Sequence, residues 1–115
     1  MSIIVIFYLL FIGHMVGDFV LQPSPMSSGK NRHNNLREQY GESFPHWYYW
    51  LTAHSLTHSG LVYIITQNFW ISIVELVSHW IIDYFKCERW ISLNQDQILH
   101  LLFKVGYCAY IYYAL

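Results

Sequence analysis

Charge is what this sequence has least of. Six Lys and Arg and seven Asp and Glu make 11% of its 115 residues, where soluble domains average about 25%. The net charge of −1 offers no basic surface, which argues against a nucleic-acid partner. The two cysteines, Cys87 and Cys108, form no CxxC. They are expected as reduced thiols, one facing the cytoplasm and one in the membrane. No Gly-rich phosphate loop, no GxSxG and no Cys–His nucleophile pattern occurs. The start, Met1-Ser2-Ile3-Ile4, lacks the basic residues of a secretory signal. Residues 2–22 are therefore expected to be a retained helix. There is no internal repeat.

Apolar and aromatic residues fill the space that charge leaves. Hydrophobic residues make 55% of the chain and aromatics 19%, with a mean hydropathy of +0.27. Four runs stand out, at about 2–22, 46–67, 69–86 and 95–115. Each is near the roughly 20 residues that cross a hydrocarbon core. Pro23 and Pro25 end the first run. Residues 23–45 read as a polar loop with a short helix near Leu36. The aromatic cluster from His46 to Trp50 suits a membrane interface. Gln67-Asn68 is so short a connection that the second and third helices must be antiparallel neighbours. The predicted fold is all-α: a single domain over residues 1–115, an integral membrane four-helix bundle. A soluble bundle that oligomerises is the competing expectation.

The loops at 23–45 and 86–95 hold Lys30, Arg32, Arg37, Lys86 and Arg89, while the opposite end holds no Lys or Arg. The positive-inside rule places both loops in the cytoplasm and both termini outside.

Each apolar run also carries one polar stripe. The stripes are His14/Asp18, His54/His58, Glu75/His79/Asp83 and Asp96/His100. A spacing of four stacks side chains on one helix face. Ionisable groups in apolar surroundings are costly unless they pair, bind metal or line a wet cavity. At 1.5 Å per residue, all except Asp96 at the mouth lie about 5–16 Å below the loop-side ends of their helices. Four helices thus offer ligands in one slab, in the cytoplasmic half. Five histidines and four carboxylates are a metal-ligand set. The expected ligands are His14, Asp18, His54, His58, His79, Asp83, Asp96 and His100. The expected cofactor is a divalent metal, zinc first, with manganese or iron as alternatives. So many candidates exceed one tetrahedral site. Either two ions bind, or some carboxylates orient the histidines.

Several residues keep two readings. Lys104 lies a turn beyond His100, at the depth of Glu75, and the two form a structural ion pair or take catalytic roles. Lys30 and Arg32 bind a phosphate at the entrance or mark topology beside anionic lipid. Asp96 is a ligand or a first-turn residue of the fourth helix, and Gln22 caps the first. Tyr107, Tyr110, Tyr112 and Tyr113 read as an outer interfacial belt.

The strings GHMVGDFVLQP at 13–23, His54/His58, ELVSHWIIDYFK at 75–86 and DQILH at 96–100 resemble the domain of unknown function 3307 family. The resemblance spans nearly the whole chain and implies a small bacterial or phage integral membrane protein, in a bacterial inner membrane. It brings no activity. A looser similarity is to membrane-bound metal-dependent hydrolases. Two functions compete. One is a metal-dependent hydrolase of a lipid head group, phosphoester or other small amphiphile at the cytoplasmic face. Glu75 or Asp18 would be its base, and Lys30, Arg32 and Lys104 its substrate contacts. The other is a non-enzymatic membrane protein: an interaction factor, or a metal or proton pathway. Membrane lipid is the expected partner, with an oligomer possible.

Overall fold

A computed structural model describes all 115 residues, and every regular element in it is helical. Helix α1 (Ile3–Met15) continues without a break into a π-helical turn, Val16–Val20. Two short helices follow, α2 (Ser24–Gly29) and α3 (Leu36–Tyr40). Three long ones complete the chain: α4 (Trp47–Thr66), α5 (Phe69–Cys87) and α6 (Leu93–Ala114). The four long elements match the four apolar runs. The sequence-based reading of 23–45 as loop needs correction at α2. Pro25 does not merely stop a helix there, because it sits in α2's first turn, where a proline's missing N–H costs nothing.

Local signals set the boundaries. Ser2 caps α1 by accepting from the Val5 N–H. Ser92 and Gln95 form a reciprocal capping box, which starts α6 two residues before the predicted 95. Gln67 takes a left-handed conformation (φ 54°) to end α4, and Asn68 caps α5 at once by accepting from the Ile71 N–H. That two-residue turn makes α4 and α5 antiparallel. Around the bundle, α1 packs on α4 and α6, and α5 packs on α4 and α6.

The interior has two storeys. Towards the termini, Ile6, Leu10, Val62, Ile71, Tyr107 and Cys108 form an apolar core. Towards the loops the interior is polar. Fourteen buried residues are polar or charged and only nine hydrophobic, while 31 large hydrophobic side chains are exposed. Buried polar groups and exposed apolar patches are the informative departures from the usual distribution. By length and composition one segment, Ile3–Val20, is long and apolar enough to cross a membrane. Helices α4, α5 and α6, with 20, 19 and 22 residues, are long enough, but their polar stripes lower their hydropathy.

The connection between α1 and α4 closes the polar end. Gly29 lies against the Trp50 ring, so close that a Cβ there would sit 2.5 Å from it. Lys30 reaches inward to Asp83 (2.7 Å). Arg32 grips Glu88 through two nitrogens, and His33 adds a third bond at 3.1 Å. The Arg32 guanidinium holds the Glu88 carboxyl down, to about 2.

A buried histidine and carboxylate centre

The π-helical turn is where the site begins. It widens the helix by one residue per turn, a feature that recurs at functional sites. Gly17 and Asp18 both lie in it and both are buried. Gly17 has no side chain, so the His58 ring rests on its backbone. A Cβ at 17 would meet that ring at 2.5–2.9 Å. Gly17→Ala is therefore expected to push His58 aside and to cost about 1–3 kcal/mol of stability, the usual penalty for overpacking. Gly60→Ala is the control, since a Cβ at 60 meets nothing within 4 Å. A helical Gly→Ala change in open space is neutral or stabilising by up to about 1 kcal/mol. Thermal unfolding of the two variants checks this. Equal behaviour would remove the close approach as a constraint.

Asp18 Oδ1 is the hub. His58 Nε2 stands 2.9 Å from it, His54 Nε2 3.2 Å and His79 Nε2 3.8 Å. His54 Nε2 and His79 Nε2 are 3.2 Å apart. All four ligand atoms lie within 4.8 Å of one another, and this group could hold a metal ion. Metal–ligand bonds of about 2.0–2.1 Å require tetrahedral edges of about 3.3–3.4 Å. The observed separations bracket that value. The chemistry agrees as well as the spacing. His79 Nδ1 lies 3.3 Å from Glu75 Oε1, which makes it the ring's donor. The Nε2 lone pair then points into the centre. A carboxylate behind a histidine is the usual support for a metal ligand.

His79 is the most enclosed member, with no exposed surface. Its ring is stacked between His58 (centroids 3.8 Å) and His100 (4.1 Å). Glu75 has no free oxygen. Lys104 Nζ donates to Oε1 at 2.5 Å and the Tyr107 hydroxyl donates to Oε2 at 2.6 Å. Lys104 is thus buried in an ion pair with Glu75, at the depth its spacing from His100 gives. Asp83 accepts from Lys30 and pairs with Lys86 (3.2 Å), and its Oδ2 lies 3.6 Å from His54 Nε2. Lys30 and Arg32, expected as phosphate contacts, are both engaged with carboxylates. His14, Asp96 and His100 lie beside the central group. His14 Nε2 lies 3.4 Å from Asp18 Oδ2, and His100 Nε2 lies 3.3 Å from Asp96 Oδ1. Gln22 donates to the Asp18 carbonyl at 2.9 Å, capping the π turn as expected.

Two participants escaped the sequence reading. Gln97 lies between the two groups. Its amide nitrogen donates to Asp18 Oδ2 (2.8 Å) and Asp96 Oδ2 (3.0 Å), and its oxygen lies 2.9 Å from His14 Nε2. Tyr107 is buried against Glu75 and is no part of an outer belt, a correction forced by its hydroxyl bond. Each had a signal. Gln97 is three residues before His100 and Tyr107 three after Lys104, so each lies on a polar face.

Fold and site together define a helical bundle with a buried histidine–carboxylate centre of metal-ligand type. The family model described as a protein of unknown function, DUF3307, matches residues 6–113, and the chain belongs to that family. No curated protein and no solved structure matches the chain.

Proposed function

We propose that this chain is a membrane-embedded metal-dependent hydrolase acting on a small amphiphile or phosphoester at the cytoplasmic face. The observation that carries the reading is the convergence of three histidine Nε2 atoms and one Asp18 oxygen, from three separate elements, on one buried point. A structural polar cluster has no need to bring all four such atoms within 4.8 Å of one another. Zinc is the first choice of ion for three imidazoles with a carboxylate beside them, and manganese or iron are also compatible. Such an ion, when bound, supplies Lewis acidity and a water that ionises near neutral pH. The protein's residues do the rest. His54, His58 and His79 hold the ion, and Glu75 keeps the His79 ring in place. Asp18 takes the proton from the attacking water. It is the most exposed member of the central group, at 9% against 1% or less for the three histidines, so the way in passes beside it.

The membrane reading rests on the buried polar groups and exposed apolar side chains and on the charge asymmetry of five cationic residues against none. An apolar groove of about 680 Å³ runs between α5 and α6, lined by Trp70, Val74, Leu102, Phe103 and Tyr107. It suits the hydrocarbon part of an amphiphile, and Tyr107 links it to Glu75. The topology is tested by cysteine labelling, since Cys87 and Cys108 are buried and give little background. Asn35→Cys should react only from the cytoplasm and Leu115→Cys only from outside. The reverse pattern would overturn the orientation.

Activity is tested on detergent-purified, metal-loaded protein against phosphoester and ester amphiphiles. Asp18→Asn should still bind an ion through the three histidines, while hydrolysis falls by about 10²–10⁴-fold, the usual worth of a general base. Wild-type protein that takes up no metal after purification without chelators would remove the enzyme reading. A second reading would then stand, favoured by the hydrogen-bonded chain from Lys104 through Glu75 and His79 to His54, whose Nε2 lies 3.6 Å from Asp83. That chain resembles a proton relay. It stops, however, at the apolar core above Tyr107, so it opens no path through one copy of the chain.

A further inference from the structure

Buried carboxylates need cations. Among the four in this centre, Glu75 has Lys104 and Asp83 has Lys30 and Lys86. Asp18 and Asp96 have no lysine or arginine within 4 Å. The ion of the proposed function, on which this inference rests, answers Asp18 through Oδ1. Asp96 is left over. It is 1% exposed, its Oδ1 lacks a hydrogen-bond partner, and its neighbours are His100, 3.3 Å from Oδ1, and the Gln97 amide, 3.0 Å from Oδ2.

The surroundings of Asp96 have the composition of a second site. Asp18 turns its two oxygens in different directions. Oδ1 faces His54, His58 and His79, while Oδ2 faces His14 Nε2 and Gln97. Asp18 thus faces both sets of histidines. The rings of His14 and His100 are 5.2 Å apart, and both residues are buried. The Gln97 amide nitrogen stands 2.8 Å from one carboxylate and 3.0 Å from the other. A neutral donor occupies the place between two anions where a cation belongs.

We propose that the centre takes two divalent metal ions, the second held by His14, Asp96 and His100 on the Oδ2 side of Asp18. Gln97 keeps the space between the carboxylates until the second ion enters. Two ions roughly 3.5–4 Å apart clamp both the attacking and the leaving oxygen of an in-line displacement. Among the substrates of the proposed function, such a clamp favours phosphoesters.

Manganese(II) alone is the probe. Metal-free wild-type protein in detergent is titrated with it, with bound metal counted by mass spectrometry and the spectrum followed by electron paramagnetic resonance. The expected result is two ions per chain, the second equivalent converting an isolated six-line signal into an exchange-coupled one. Asp96→Asn, which keeps the side chain's shape, should bind one ion and keep the isolated signal at any excess. Saturation of the wild type at one ion per chain would overturn this inference and leave the first site intact. No binding at all would overturn both. A coupled signal with two ions in Asp96→Asn would also overturn it. The wild-type titration decides the matter even if that variant fails to fold.

Discussion

His79→Ala is expected to abolish metal binding and the stabilisation that comes with it. No other side chain in the centre is held from so many directions. Glu75 lies behind Nδ1, His54 and Asp18 lie before Nε2, and His58 and His100 cover the two faces. Truncation removes a ligand, opens a cavity between two rings, and leaves Glu75 with one donor fewer. Losing only an outer partner of a ligand costs about 10–100-fold in metal affinity, and losing the ligand itself should cost more. A ligand present at 100 times its Kd adds about 2.7 kcal/mol to the folded state. Wild-type protein should therefore unfold at lower temperature after chelation and recover when metal is restored. His79→Ala should unfold at one temperature whether metal is present or not. Calorimetry with and without added zinc measures this. An equal metal-dependent shift in the variant would dismiss His79 as a ligand.

Much of this arrangement could be read from the residues, because two strong periodic signals coincide. Apolar runs of spanning length gave helices within two residues of those observed at every end. The four-residue spacing gave the inward face, and every stripe residue is buried. What escaped reading has a common physical character: it depends on deviations from the α period or on long-range approach. The π turn at Val16–Val20 changes the register of Asp18, and only the adjacent Gly17 hinted at a close neighbour. Lys30 lies in a segment without periodicity, so its reach to Asp83, 53 positions later, follows from the path of α2 and not from any local pattern. Tyr107 was hidden by company, since the tyrosines that follow it do lie on the outside. Gln97 was hidden by being uncharged, although its position three before His100 gives it the same face.

Glu75→Gln is expected to produce the largest loss of stability of any near-isosteric change in the chain. Lys104 is 1% exposed and its amine donates to Glu75 Oε1 at 2.5 Å. With a neutral amide opposite, an ammonium stays buried without a counter-charge, and breaking a buried pair from one side costs about 3–5 kcal/mol. Replacing both partners should restore most of that loss, because Lys104→Met fills the same volume without charge. The double variant, Glu75→Gln with Lys104→Met, is thus expected to fold nearly as stably as the wild type. Metal affinity should behave differently. Glu75 also accepts from His79 Nδ1 and from the Tyr107 hydroxyl, and an amide orients an imidazole less firmly than a carboxylate does. Both the single and the double variant should bind metal about 10–100-fold more weakly. Stability rescued with affinity still impaired assigns Glu75 two separable duties, neutralising Lys104 and positioning His79. Recovery of both in the double variant would reduce Glu75 to a structural ion pair. A stable Glu75→Gln single variant would show instead that Lys104 finds other solvation, and the charge argument for this level of the bundle would fail.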